Sequence, residues 1–349
     1  MSRARGGQLA RGGQIVGLNV LRGLAVLLVM LRHAFPDVFP GAGVVGIVMF
    51  FTLSGYLITG VLTKELATGG RIDYRRFYLR RARRLLPALL AVIVVFIAVT
   101  ATVDPLDESG SLPRTVAVML TFTGNLPVIH LGGAAFHCWT LATEEQFYLV
   151  WPALLTLAWT RRSVTATLVT TAVIVLAGCV ATLIWLWPHP DNAYGLPTSW
   201  FVCFVIGAAT RLRGHSGWMS ARLVPLALAG LAVLSILPLR GHVLTYLLVG
   251  PTIAILTAAL LLVWSRWQEL GNRALLTRGL AALGLVSYGA YLWNYPLTLW
   301  LRPELGAVAG PMALVLTIVA AALSWRFIER PVMRGGRTRG GRPSETAPR

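Results

Sequence analysis

A succession of apolar segments, most of them about 20 residues long, limits what this chain can fold into. An α-helix needs about 20 such residues to cross the ~30 Å hydrocarbon core of a bilayer, and only helices and closed barrels satisfy the backbone there. The sequence therefore predicts an all-α polytopic membrane protein. Hydrophobic residues make up 56% of the 349 positions and charged residues only 13%, which excludes an ordinary soluble domain. Ten crossings are predicted, at residues 15–35, 43–63, 85–103, 141–160, 164–187, 199–212, 222–239, 243–264, 280–301 and 309–328.

Basic residues indicate how these segments are oriented, because cytoplasmic loops of membrane proteins are rich in Lys and Arg. With the N-terminus inside, 26 of the 31 basic residues fall in inner segments, and two (Arg22 and Arg32) lie in the first helix. The remaining three, Arg114, Arg240 and Arg302, lie at outer loops. This asymmetry predicts ten crossings with both termini cytoplasmic. It also explains the net charge of +18 by orientation and contact with membrane lipids, and not by nucleic-acid binding.

A single membrane domain, residues 15–330, is predicted between two polar ends. Residues 1–14 are basic and Gly-rich, and we expect an uncleaved cytoplasmic segment there. Residues 331–349 are expected to form a disordered, basic cytoplasmic tail. The apolar stretch at about 114–130 contains Gly, Asn and Pro and is expected to be a short or re-entrant helix, because an eleventh crossing would invert every later segment.

The first predicted helix carries two basic side chains on one face. Arg22 and His33 are eleven residues apart, close to three helical turns, and are separated by roughly 16 Å along the axis. Either residue alone is explained by a structural ion pair or by an interfacial position. Together, with Asn19 one turn before Arg22, they favour a polar path through the membrane, since ionisable groups in lipid normally face a protein interior.

Two adjacent carboxylates, Glu144 and Glu145, open the fourth predicted crossing. Negative charge is favourable near a helix N-terminus, so capping alone would explain them. Gln146 and Tyr148, however, continue the polar character inward. In the predicted topology this helix starts at the outer face, so the carboxylates are expected at the depth of His33. A carboxylate there would orient the imidazole for general acid–base chemistry.

Seven arginines crowd residues 71–84 on the predicted inner side. Positive-inside topology with lipid contact explains such a cluster. An anion site is the alternative, because the planar guanidinium binds phosphate through two parallel hydrogen bonds. The candidates for holding a phosphate-rich cytosolic molecule are Arg80, Arg81, Arg83 and Arg84.

Cysteine and histidine spacing adds no further site. The three cysteines show no paired spacing and the six histidines show no ligand pattern, so neither a disulfide nor a metal site is predicted. No permanently bound cofactor is expected.

Six motifs occur in order along nearly the whole transmembrane length. Arg22 and His33 form an Arg-x10-His pattern, and the other five motifs are FFTLSGYLIT (50–59), FYLRRARRLLPAL (77–89), WTLATEEQFYLVWP (139–152), LGLVSYGAYLWNYPL (283–297) and WRFIERPVM (325–333). In these motifs the chain resembles the acyltransferase-3 family of bacterial membrane O-acyltransferases. Two positions depart from the family: Val48 replaces a frequent acidic residue, and Asn294 replaces a frequent histidine. Since an amide carries no titratable proton, the proton-transfer role is expected at His33.

The resemblance implies a transferase in the bacterial cytoplasmic membrane. It would move an acyl group, often acetyl, from cytosolic acyl-CoA to a hydroxyl of a carbohydrate, a glycolipid or a glycosylated metabolite. His33 is expected to be the general base, assisted by Glu145 or Glu144, while Arg22 stabilises developing negative charge. The CoA phosphates are assigned to the four arginines named above. The acceptor pocket is expected to contain Trp139, Gln146, Tyr148, Tyr288 and Asn294.

Alternatives stay open at the level of the sequence. A proton-coupled transporter of a small solute or lipid-linked sugar would also need buried Arg, His and Glu, although no internal repeat is visible. Direct transfer and an acyl-enzyme are both open, with Ser54 and Cys138 as candidate nucleophiles. The outer segments are mildly acidic, which argues against a strongly anionic acceptor.

Overall fold

A computed structural model describes residues 16–127, 129, 131–214, 222–266 and 274–338 of the chain. Within these residues the fold is helical and contains no strand, as the sequence predicts. The helices are α1 (Val16–Ala34), α2 (Ala42–Gly69), α3 (Tyr74–Thr102), α4 (Leu112–Thr121), α5 (Trp139–Thr160), α6 (Val164–Trp185), α7 (Phe201–Arg213), α8 (Leu223–Ile236), α9 (Gly250–Trp264), α10 (Leu275–Leu285), α11 (Ser287–Leu305), α12 (Ala309–Ser324) and α13 (Arg330–Thr338).

Six helical runs in the described part of the chain are long and apolar enough to cross a membrane. Four of them are α1, α2, α3 and α6; the fifth extends α9 back to Thr245, and the sixth, Ser287–Arg334, contains α11 to α13. Together with the apolar composition they make the chain a multi-pass membrane protein. The count of ten crossings and the cytoplasmic placement of both termini stay predictions.

One predicted crossing, 280–301, is interrupted in the structure. Helix α10 ends at Leu285 and α11 begins at Ser287, so the segment is not one continuous helix. Just before the break α10 lies close to α1, where a Cβ on Gly284 would stand 1.8 Å from the carbonyl oxygen of Asn19. A hydropathy profile does not reveal this break, because the segment stays apolar and long enough for a crossing across Val286 and Ser287.

Helix α1 lies at the centre of the bundle and packs against α2, α9, α10, α11 and α12. Small residues let the backbones approach, as is usual where helices pack in lipid. Between α2 and α7, a Cβ on Gly207 would lie 2.0 Å from the carbonyl oxygen of Thr52, so only glycine fits without separating the two helices.

Helices α3 and α5 run antiparallel, and hydrogen bonds fix their register. Tyr74 bonds to Thr156 at 3.0 Å, and the Tyr78 hydroxyl donates to the carbonyl of Tyr148 at 3.2 Å. Further along α3, Arg81 reaches Glu145. The arginines in the first half of α3 therefore lie level with the carboxylates near the start of α5.

The loop after α3 holds the segment that leads into α5. Within this loop the Asp104 carboxylate accepts hydrogen bonds from Ser109 and from the backbone N–H of Glu108. These bonds lower the pKa of Asp104. Glu108 Oε1 in turn accepts from the backbone N–H of Ala134 at 3.0 Å, while burial raises the pKa of its carboxyl. The 3₁₀ segment Gly133–Cys138 is thereby tied against α11 before α5 begins.

The ends of the chain and the 114–130 stretch are described in part. Residues 1–14 and 339–349 lie outside the described residues, but 331–338, predicted to be disordered, belong to α13. Within 114–130 the structure has the short helix α4 followed by turns, with Val128 and His130 outside the described residues. A short helix is therefore confirmed there.

Candidate active site

A cavity of about 100 Å³ lies among α1, α2, α3, α5 and α11. We call it the cationic cavity because three arginines and one carboxylate line it. These are Arg22 from α1, Arg81 and Arg84 from α3, and Glu144 from α5. Its other polar lining residues are Ser54, Thr140, Tyr148, Ser287, Tyr288 and Tyr291.

Hydrogen bonds between side chains of four helices hold the polar groups of this cavity. Arg22 Nε donates to Ser287 Oγ at 3.2 Å, and Ser54 Oγ donates to Glu144 Oε1 at 2.8 Å. Neither Arg22 nor Glu144 forms an ion pair with a described residue. The serine hydroxyls are uncharged, so these contacts do not neutralise either group.

Arg81 is the most constrained arginine of the cationic cavity. Its Nε donates to Glu145 Oε1 at 3.1 Å, and its guanidinium lies 3.0 Å from the centroid of the Tyr148 ring. Arg84 makes no ion pair with a described residue. Because Glu145 offsets Arg81, the net positive charge of the cavity comes mainly from Arg22 and Arg84, partly balanced by Glu144.

The other two predicted phosphate ligands lie elsewhere. Arg80 is exposed and faces Glu65 of α2 at 3.8 Å, and Arg83 is exposed. Neither lines the cationic cavity. Of the four arginines proposed from the sequence, the structure brings only Arg81 and Arg84 together with Arg22.

A second cavity, of about 170 Å³, contains His33 and is called the histidine cavity. Its polar lining residues are Arg32, His33, His137, Trp139, Tyr194, Arg240, Tyr291, Tyr295, Thr298 and Arg302. Ile47 and Tyr291 line both cavities, so the two spaces adjoin there. Arg22 lines the cationic cavity, and His33, three helical turns further along the same face of α1, lines the histidine cavity.

A hydrogen-bond chain sets the proton position on His33. Asn294 Nδ2 donates to Thr317 Oγ1 at 3.2 Å, which orients the amide so that its Oδ1 faces His33 Nδ1 at 2.6 Å. An amide oxygen only accepts, so Nδ1 of the neutral imidazole carries the proton and Nε2 keeps its lone pair. The ring also packs edge-on against Tyr295, with centroids 4.9 Å apart. His33 is therefore held in the tautomer that suits a base acting through Nε2.

The structure does not bring His33 into contact with Glu144 or Glu145, although the sequence predicts that pairing; His33 contacts Asn294 instead. The glutamates contact Ser54 and Arg81, at the level of Arg22. The reason is that α5 begins at the level of His33 and runs from there toward the level of Arg22. His137 and Cys138 directly precede α5. The hydroxyl of Tyr291, on α11, donates a hydrogen bond to the His137 carbonyl and holds this pair against α11. His137 thus lies at the level of His33, and Glu144 lies two helical turns further along.

The predicted acceptor residues divide between the two cavities. Trp139 lines the histidine cavity, and Tyr148 and Tyr288 line the cationic one. Asn294 contacts His33 directly, whereas Gln146 forms reciprocal hydrogen bonds with Asn125, both of 2.8 Å, and lines neither cavity. Gln146 is therefore a structural residue.

The candidate nucleophiles and the Val48 departure also have defined positions. Ser54 faces the cationic cavity through its bond to Glu144. Cys138 is buried and lines neither cavity. Val48 is fully buried in the core of the bundle, where the acidic residue frequent in the family would need a partner.

Sequence reasoning missed several residues of the two cavities. Ser287 and Tyr291 fall within the fifth motif, but their contacts with Arg22 and His137 join distant parts of the chain. Arg240 and Arg302 were counted only as outer-loop charges, yet both line the histidine cavity. The buried Glu329, whose Oε1 accepts from Ser324 at 3.0 Å, belongs to the last motif and was given no role.

The fold and the two adjoining polar cavities define a multi-pass membrane protein with a charged interior site. The family model described as "Acyltransferase domain" matches residues 15–328. The chain therefore belongs to this acyltransferase family, which confirms the resemblance seen in the motifs.

Curated relatives narrow the class further. The chain is 28% identical to the peptidoglycan O-acetyltransferase OatA of Listeria monocytogenes, over 92% of this chain and 56% of the relative. It is 31% identical to the putative peptidoglycan O-acetyltransferase YrhL of Bacillus subtilis, over 92% and 55%, and 26% identical to the O-acetyltransferase OatA of Staphylococcus aureus, over 92% and 57%. The chain thus spans just over half the length of these relatives. No solved structure matches it.

Proposed function

We propose that this chain is a membrane O-acetyltransferase that transfers an acetyl group from acetyl-CoA to a hydroxyl of a peptidoglycan-type carbohydrate. The observation that carries the proposal is the meeting of two cavities at Ile47 and Tyr291, one cationic and one containing His33. The first suits an anionic donor, and the second suits deprotonation of an acceptor. The carbohydrate is taken from the printed names of two relatives.

The proposed orientation places the cationic cavity toward the cytoplasm. Ten crossings with both termini inside put the loop before α3 on the inner side, so Arg81 and Arg84 lie within three turns of that surface. His33, next to the last residue of α1, then lies near the outer face. The membrane would be the bacterial cytoplasmic membrane, with donor and acceptor reaching the site from opposite sides.

Donor binding is assigned to the arginines of the cationic cavity. Arg84 and Arg22 carry charge that no described carboxylate pairs, and Arg81 is held in place by Glu145 and Tyr148. Guanidinium groups bind phosphates with two parallel hydrogen bonds. With the CoA phosphates held by Arg81 and Arg84, the thioester arm would extend past Arg22 and between Ile47 and Tyr291 toward His33.

The chemical step is assigned to His33. Its Nε2 takes the proton of the acceptor hydroxyl as that oxygen attacks the thioester carbonyl carbon, and the C–S bond then breaks. The departing CoA sulfur recovers the proton from the imidazolium, so the histidine returns to its neutral form. Asn294 keeps Nδ1 protonated throughout and is a positioning residue. Arg22 would stabilise negative charge on the donor during the reaction.

Arg84→Gln tests the donor site. With purified protein in lipid nanodiscs and labelled acetyl-CoA, we expect the KM for acetyl-CoA to rise about tenfold or more, because a charge-assisted hydrogen bond is lost. The matched control is Arg83→Gln, which changes an exposed arginine of the same helix that lines neither cavity.

The control is expected to keep the wild-type KM within about twofold. Equal effects of Arg84→Gln and Arg83→Gln would show that α3 attracts the donor through its overall charge, and the assignment of the cationic cavity would then fail.

A further inference from the structure

Three arginines from distant parts of the chain converge on the histidine cavity. Arg32 lies beside His33 on α1, Arg240 lies in the loop between α8 and α9, and Arg302 lies in the last turn of α11. Tertiary packing alone brings them to one space. The proposed donor route does not use any of them.

None of these arginines has a carboxylate partner in the part of the chain that the structure describes. Arg302 donates to the backbone carbonyl of His33 at 3.1 Å, and Arg240 lies 4.2 Å from the centroid of the Tyr194 ring. Among the described residues no Asp or Glu lines the cavity, and Asp37 acts on Arg32 from outside it. The arginine charges repel one another and Asp37 opposes only part of this repulsion, so the cavity carries a net positive potential.

The location makes this charge unusual. In the predicted topology the outer side carries only three basic residues in its loops, and two of them, Arg240 and Arg302, line this cavity. Positive-inside orientation disfavours basic residues there and so does not explain them. Tyr194 and Tyr295 add hydroxyl groups and apolar ring surface to the same wall.

We propose that the histidine cavity binds an anionic group of the acceptor, a carboxylate or a phosphate, through Arg240, Arg302 and Arg32 while the acceptor hydroxyl faces His33. The inference rests on the proposed function and names the acceptor class more closely: a sugar that carries a negative charge near the acylated hydroxyl. It reverses the expectation, drawn from the acidic outer segments, of an acceptor without strong negative charge. Arginine suits this role because its fork matches the two oxygens of either anion.

The test compares three acceptors made from one peptidoglycan glycopeptide. The first keeps its free carboxylates, the second has every carboxylate amidated, and the third is the amidated form with a phosphate on its terminal sugar. Transfer from labelled acetyl-CoA is measured with the full chain in nanodiscs. We expect a KM about tenfold lower for a charged acceptor than for the amidated one. The better of the two charged acceptors identifies the source of the anion.

Arg240→Gln is the informative variant, since Arg302 also contacts the His33 backbone. We expect it to remove most of the preference for the charged acceptor while the KM for acetyl-CoA stays unchanged. Arg240→Lys should restore part of the preference. The control is Arg114→Gln, an exposed outer arginine of α4 that lines neither cavity, and it should keep the wild-type preference.

Equal use of the amidated and charged acceptors by the wild type would overturn this inference, as would equal effects of Arg240→Gln and Arg114→Gln. If the wild type transfers no acetyl group to any acceptor, the proposed function fails instead. The cavity is then judged by calorimetric binding of the same glycopeptides. Tighter binding of a charged form, weakened by Arg240→Gln, supports the anion site, and identical binding of all three contradicts it.

Discussion

At the scale of single residues, the contact between His33 and Asn294 decides what the histidine can do. A histidine at position 294, frequent in the family, could donate or accept and would leave the tautomer of His33 open. Asn294, oriented by Thr317, presents an oxygen and fixes the proton on Nδ1. The departure from the family pattern therefore makes His33 the single proton-transfer histidine of the proposed mechanism.

Replacing Asn294 tests this positioning role. We expect Asn294→Ala to lower kcat by about tenfold or more, because the productive tautomer is no longer selected. Asn294→Asp should instead move the acidic limb of the pH–rate profile to higher pH, since a carboxylate at Nδ1 stabilises the protonated, non-basic imidazole. The measurements are kcat between pH 5.5 and 9 and the melting temperature of each variant. A uniform loss with an unchanged profile in Asn294→Asp would argue for a merely structural residue.

The sequence predicted part of this site and misplaced part of it. Helical spacing puts Arg22 and His33 on one face of α1, and each lines a polar cavity; that argument needs only one helix. The depth of Glu144 and Glu145 depends on where α5 starts, and that is set by the contact of Tyr291 with His137, 154 residues apart in the chain. The positions of Arg240 and Arg302 in the histidine cavity could not be predicted either, because they also depend on contacts between distant parts of the chain.

At the scale of helices, close backbone contact holds the cavities in shape. Helix α2 contributes Ser54 to the cationic cavity and packs against α7 on its other side through Gly207. Chain hydropathy predicted most of the long helices, but it predicted neither this contact nor the break between α10 and α11. The contact depends on Gly207 meeting the Thr52 carbonyl, and a hydropathy profile does not show which glycines meet a neighbouring backbone.

Gly207→Ala should separate α2 from α7 and lower the thermal unfolding midpoint in detergent, because the new Cβ would lie 2.0 Å from the Thr52 carbonyl oxygen. Overpacking of this kind costs about 1–3 kcal/mol. The control is Gly279→Ala in α10, where no described atom outside the local helix backbone lies within 4 Å of the added Cβ. Since alanine favours a helix over glycine by about 1 kcal/mol, the control should be neutral or stabilising. A Gly207 variant as stable as the Gly279 variant would refute the close contact.

At the scale of the whole molecule, the bundle contains two polar cavities that share Ile47 and Tyr291 as lining residues. Arginines near the predicted inner face line the cationic cavity, while His33 and a second arginine group line the other. Charge counting along the sequence predicted an inner cationic surface and an outer histidine, because orientation depends on composition alone. That Ile47 and Tyr291 line both cavities could be seen only in the folded structure.

The central claim is that His33 is the base for transfer from acetyl-CoA to a carbohydrate hydroxyl. The most direct test measures acceptor-dependent release of CoA by the purified chain and by His33→Gln, with acetyl-CoA binding measured in parallel. We predict that His33→Gln lowers kcat by about 100-fold or more while acetyl-CoA binding is kept, and that His242→Gln, which changes an exposed histidine lining neither cavity, behaves as wild type. A His33→Gln protein that transfers acetyl groups at the wild-type rate would contradict the account.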